Sequence, residues 1–153
     1  MLFFKSGAAT LTMNTATLFT LNFGTVVQNS GSFLASFGVR NTLLDSTFQD
    51  ALSGTFDTST VVKFTLAGFT AFGPLAPGLA FDPDVTFSSA RPTGTYSDTL
   101  FLNPTSSNSS STSPLSAIQL NLTANVAPVP EPATATLLLG GLGVLCLRRR
   151  RAH

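Results

Sequence analysis

An alternation of period two runs through most of the chain. Phe19, Leu21 and Phe23 alternate with Leu18, Thr20 and Asn22. Phe33, Ala35, Phe37 and Val39 alternate with Leu34, Ser36, Gly38 and Arg40. Val62, Phe64 and Leu66 repeat the pattern, as do Val85 and Phe87. The clearest run sets Ile118, Leu120, Leu122, Ala124 and Val126 against Gln119, Asn121, Thr123 and Asn125. A strand turns successive side chains to opposite faces, so this alternation predicts half-buried antiparallel strands. Their Phe, Val and Thr content suits a pleated surface.

Turn chemistry separates the runs: Asn29-Ser30-Gly31, Asp57-Thr58-Ser59, Gly73-Pro74, Ala76-Pro77-Gly78, Asp82-Pro83-Asp84 and Arg91-Pro92-Thr93-Gly94. About seven short strands so punctuated predict an all-β chain whose body, residues 16–126, is a single immunoglobulin-like antiparallel β-sandwich. Residues 1–15 show no such alternation and are expected to be an N-terminal extension. The stretch 103–116, NPTSSNSSSTSPLS, is too polar for a half-buried strand and is expected to be a long exposed loop. No helix-length 3.6-residue pattern precedes the tail.

The tail, residues 127–153, changes character. Ala127-Pro128-Val129-Pro130-Glu131-Pro132 holds three prolines within five residues, which enforces an extended, solvated backbone. A processing enzyme could grip such a segment, and a plain linker would have the same composition. Residues 133–147, ATATLLLGGLGVLCL, follow without a charge. As a helix they would span about 22 Å, short of a roughly 30 Å hydrocarbon core. Arg148, Arg149, Arg150 and Arg151 come next and the sequence stops at His153. Their stems can snorkel to the headgroups, and their charge favours the cytoplasmic side. The expectation is one short C-terminal transmembrane helix built on Ala133, Leu137, Leu138, Leu139, Gly140, Gly141, Leu142, Gly143, Val144, Leu145, Cys146 and Leu147.

Composition narrows the chemistry. Only 10% of the 153 residues are charged, against roughly 25% in ordinary soluble proteins. With 43% hydrophobic residues and a mean hydropathy of +0.32, a disordered polyelectrolyte is excluded. The net charge of +1 is misleading, because the four tail arginines supply half of the basic residues. The rest of the chain has 4 − 7 = −3, with no basic face for nucleic acid. The one His is His153 and the one Cys is Cys146, so neither a zinc site nor an imidazole-dependent nucleophile has its parts inside the fold. Asp82 and Asp84 stand two apart but lack the other ligands of a calcium loop. Thr10/Thr12 and Thr15/Thr17 suggest flat ice-binding arrays, yet no fixed period repeats them. No catalytic residue, metal ligand or cofactor is expected, and the protein is expected not to be an enzyme.

Two resemblances follow from these residues. Val129-Pro130-Glu131-Pro132-Ala133, the Leu/Gly-rich run and Arg148 to Arg151 together resemble the PEP-CTERM sorting signal of Gram-negative bacteria. The resemblance implies export, transient anchoring in the inner membrane and recognition by an exosortase-type transpeptidase through Val129, Pro130, Glu131 and Pro132. It also implies a destination at the cell surface or in an extracellular matrix, often in bacteria that make exopolysaccharide. The same tail is sometimes termed an ice-binding protein C-terminal domain, a label for the tail alone. In the body, Leu21-Asn22-Phe23-Gly24-Thr25-Val26, Phe37-Gly38-Val39-Arg40-Asn41 and Gly94-Thr95-Tyr96-Ser97-Asp98-Thr99-Leu100 resemble choice-of-anchor D and ASPM/SPD-2/Hydin-like immunoglobulin repeats. That implies an adhesion or scaffold module, with glycan or ice binding as the alternative role. Exported chains carry an N-terminal signal, and Met1 to Met13 lacks its apolar core. The sequence is therefore expected to be a fragment or to begin at a mis-assigned start.

Overall fold

The computed structural model describes residues 1–42 and 49–130, and all of its regular elements are strands. They are β1 (Leu2–Gly7), β2 (Thr10–Thr15), β3 (Leu18–Val27), β4 (Ser32–Arg40), β5 (Ala51–Asp57), β6 (Thr65–Ala67), β7 (Phe72–Leu75), β8 (Ala80–Phe81), β9 (Asp84–Ser88), β10 (Gly94–Ser107), β11 (Thr112–Pro114) and β12 (Ile118–Ala127). A smaller sheet has the order β1-β4-β9-β6, with β8 beside β4. A larger sheet has the order β2-β3-β12-β10-β5-β7, with β11 beside β10. All pairs are antiparallel except β3 with β12, which run parallel. The chain crosses repeatedly between the sheets, and their apolar faces meet in a sandwich.

The alternation in the sequence decides which side chains meet. Phe19, Leu21 and Phe23 of β3 are buried, as are Ala35, Phe37 and Val39 of β4, Val85 and Phe87 of β9, and Leu120, Leu122, Ala124 and Val126 of β12. Rings from both sheets touch across the interior. Phe87 of the smaller sheet lies 6.1 Å from Phe23 and 5.7 Å from Tyr96 of the larger, with Phe64 5.2 Å away. A second cluster joins Phe56 and Phe72 of the larger sheet to Phe81 of the smaller, with Phe69 bridging Phe56 to Phe37. Aromatic pairs at such separations add to the stabilisation from burial alone.

Three expectations need correction. Residues 1–15 are not a bare extension: β1 pairs β4 and β2 pairs β3. Their alternation is faint because both are edge strands, with only one neighbour and much of their surface exposed. The polar stretch 103–116 is not one loop, since β10 continues to Ser107 and β11 folds back on it. Ladders from β5 and β11 satisfy this backbone, so strand formation does not need apolar side chains. Pro104, which has no N–H to give, lies where the β12 ladder has ended at Leu102 and the β11 ladder begins at Thr105. Val62 is 74% exposed rather than inward. The reason is Asp98, whose Oδ2 accepts the backbone N–H groups of Val62 at 2.9 Å and Lys63 at 2.6 Å, holding that segment as a turn. The expected helix of residues 133–147 lies outside the described residues.

Replacing Phe87 with Ala should lower stability by about 3–5 kcal/mol, because its cavity opens between both sheets. Asp98→Ala should cost about 1–3 kcal/mol by orphaning two N–H donors, and Asp98→Asn should recover part of that loss by restoring an acceptor. Urea unfolding of the three variants beside the parent checks both expectations.

Candidate functional site

The tail leaves the sandwich from the end of a central strand. β12 keeps its ladder through Ala127, opposite Val27, and the backbone N–H of Gln28 donates to Ala127 O at 2.8 Å. Pro128 and Pro130 have no N–H, so the ladder cannot extend past this point. Pro128, Val129 and Pro130 are exposed. Of the expected sorting residues, the described part therefore holds Val129 and Pro130. Glu131, Pro132, the anchor residues and Arg148 to Arg151 lie outside the described residues.

The surroundings of the exit are fixed by hydrogen bonds that the sequence reading did not foresee. Ser89, fully buried, accepts the backbone N–H of Gly31 at 2.9 Å and donates to Gly31 O at 2.8 Å. Its own backbone bonds Gly31 and Asn29. The β3–β4 turn, with Asn29 and Gly31 at positive φ, is thereby stapled to the end of β9. Gln28 Nε2 donates to Arg91 O at 2.9 Å, and Tyr96 Oη to Pro92 O at 2.7 Å. Both turns beside Ala127 are thus held by hydrogen bonds.

The paired carboxylates do not converge. Lys5 Nζ reaches Asp82 Oδ2 at 2.6 Å, while Asp84 accepts the Ser36 hydroxyl. Among the described residues no group of three potential metal-ligating side chains is present. At the end of β5, the Ser59 hydroxyl and backbone N–H both donate to Asp57 Oδ1 and hold that carboxyl below its usual range.

The threonines do form an array, running across strands rather than along the sequence. Register aligns Thr12, Thr20, Asn121 and Thr99 in one row over β2, β3, β12 and β10. The next row is Thr10, Asn22, Thr123 and Ser97, and a third contains Leu18, Gln119, Phe101 and Asp57. Alternate neighbours in each strand face the core, so these rows form the outer face of the larger sheet. A search for sequence repeats cannot find such rows, because their members are far apart in the chain.

Comparison with known proteins adds a match at the tail. Residues 128–152 match the PEP-CTERM protein-sorting motif. The motif supports a sorted, exported protein, made as a membrane-anchored precursor and processed for the cell surface or extracellular space. It implies recognition by an exosortase. No curated protein matches the chain. Among solved structures, the Vibrio cholerae VesB protease is similar at 17% identity and a TM-score of 0.47, over 77% of this chain and 32% of that one. The enterotoxigenic E. coli adhesin CfaE is similar at 12% identity and a TM-score of 0.35, over 69% and 46%. The periplasmic chaperone SfaE is similar at 6% identity and a TM-score of 0.33, over 72% and 56%. The chain thus spans about a third to just over half of the length of these proteins.

Ser89→Ala should destabilise the sandwich by about 0.5–1.5 kcal/mol, because it removes the buried hydroxyl that bonds both the N–H and the O of Gly31. Hydrogen exchange should show the loss first at Gly31 and the β3–β4 turn; protection unchanged there would contradict the staple.

Proposed function

We propose that this chain is a non-enzymatic bacterial surface protein whose immunoglobulin-like body is delivered by its C-terminal tail. The observation that carries this reading is the sorting motif at residues 128–152, which begins directly after a strand that ends at Ala127. Pro130, Glu131 and Pro132 are the segment an exosortase-type transpeptidase recognises. Leu137 to Leu147 anchor the precursor in the inner membrane of a Gram-negative cell as a short transmembrane helix, and Arg148 to Arg151 hold its end in the cytoplasm. The released body joins the cell surface or an exopolysaccharide matrix.

Strand order supports an immunoglobulin-like body. In that fold one sheet runs A-B-E-D and the other contains C-F-G. Here β1-β4-β9-β6 matches the first and β5-β10-β12 the second. Tyr96, near the start of the strand equivalent to F, bonds back to Pro92 O as the tyrosine corner of that fold does. A non-enzymatic role is favoured by the engagement of Asp82, Asp84 and Asp98 with Lys5, Ser36 and the 62–63 backbone. A second role for the same body, binding glycan or ice, is favoured by the hydroxyl and amide rows on the larger sheet.

Expression in a host with the sorting enzyme tests the delivery. Pro130→Ala with Glu131→Gln should leave the unprocessed precursor in the membrane fraction. Replacing the four arginines by neutral residues should weaken retention or invert orientation. Normal processing and fractionation of both variants would refute the roles assigned to the tail.

A further inference from the structure

From the outer face of the larger sheet we infer a binding surface for an uncharged, extended polysaccharide, laid across β2, β3, β12, β10 and β5. The inference deepens the reading of the sandwich as a delivered glycan-associated body. Asp57, at one end of a row, is the only ionisable side chain that these five strands turn outward. The smaller sheet, by contrast, carries Lys5, Arg40 and Asp84 on its strands. Ordinary soluble proteins are roughly 25% charged, and a five-strand face that turns out one carboxylate is set up for neutral partners. Its strands turn no cation outward to meet a polyanion or nucleic acid, and the neighbouring Lys63 ammonium is engaged by Ser97 O at 2.8 Å and Asp98 Oδ1 at 3.5 Å.

The groups it does offer match a sugar chain. Asn121 Oδ1 accepts from Thr99 Oγ1 at 3.1 Å and from Gln119 Nε2 at 2.9 Å, which fixes the amide. The two N–H donors of Asn121 then have no partner among the described residues and are available to a hydroxyl. Asn125 Oδ1 accepts from Thr95 Oγ1 at 3.4 Å, and its Nδ2 donates to Thr25 Oγ1 at 3.3 Å. Beside it lies a groove of about 270 Å³ lined by Asn22, Gly24, Thr25, Thr95, Thr123 and Asn125. Gly24, at positive φ, leaves open space where a side chain would stand. Two rows of hydroxyls and amides, each crossing the strands, lie between this groove and Phe101, which is 37% exposed. A pyranose presents hydroxyls at its rim and C–H groups on its faces, so it needs both kinds of partner. Strands step by about 4.8 Å, so each hydroxyl row, crossing β2, β3, β12 and β10, spans roughly 14 Å, enough for about three sugars.

The test uses the full chain in detergent micelles, run through native gels containing hydroxyethylcellulose, a mannan or a galactan, with alginate as the polyanion. At least one uncharged polymer should retard the protein while alginate does not. Phe101→Ala and Asn121→Ala should each weaken that retardation at least roughly tenfold, the size of a lost hot-spot contact. Leu34→Ala, on the outer side of the smaller sheet, should leave it unchanged. If Phe101→Ala does not unfold cooperatively, Thr123→Lys, which places a charge on the face, reads the same loss. The inference is overturned by retardation in none of the neutral gels, by equal retardation in alginate, or by variants that bind like the parent. It is equally overturned if the face instead inhibits ice recrystallisation without binding polymer, or forms a dimer that Asn121→Ala abolishes. Membrane fractionation and tail processing are separate readouts, so failure here leaves the sorting reading standing.

Discussion

The contact between phenylalanine rings of opposite sheets is the interaction on which the rest of this molecule depends. With one cysteine in the whole chain, no internal disulfide can clamp the layers together. With so few charges, ion pairs contribute little, and the Lys5–Asp82 pair is exposed enough for solvent to screen it. What remains is burial, concentrated in two aromatic clusters. Phe23, Phe64, Phe87 and Tyr96 form one, and Phe37, Phe56, Phe69, Phe72 and Phe81 the other. Each contains residues of both sheets. The backbone turns are then pinned by buried polar groups that are fully satisfied. Asn41 shows this well: its side chain donates to Asp50 O and Leu75 O and accepts from Gln49.

That division of labour explains what was legible in the sequence. Central strands such as β12 and β4 have one face in the aromatic core and one outside, so their alternation is visible residue by residue. Edge and late-paired strands are hidden. Thr10 to Thr15 and Asn103 to Ser107 are strands because a neighbour completes their hydrogen bonds, a fact of tertiary structure that polar composition conceals. Val62 was misplaced for a related reason. The sequence shows an apolar Val in alternating register, but the buried carboxylate that captures its backbone comes 36 residues later.

The sites show the same contrast. The Pro-rich exit was readable because proline acts locally: Pro128 and Pro130 have no N–H with which to extend the β12 ladder past Ala127. The hydroxyl rows were unreadable because they exist only after β2, β3, β12 and β10 align. The threonines had been visible as short pairs, Thr10 with Thr12, but their partners Thr20, Asn121 and Thr99 come from strands separated by up to about a hundred residues. Charge tells a consistent story. The strands of the larger sheet turn only Asp57 outward and bury Asp98, and the sequence places its densest charge at the far end of the tail.

The position of β12 has a mechanical consequence. The strand that leads into the tail lies in the interior of its sheet, bonded along its length to β3 on one side and β10 on the other. A pull on an attached tail would run along the axis of β12, across the line of both ladders. Such a load is shear, shared by many bonds that must yield together, whereas an edge strand pulled sideways peels open one bond at a time. Gln28 and the Ser89 staple brace the point where that load enters. A load entering through the residues after Ala127 would therefore reach the sandwich as shear along β12 rather than as peeling.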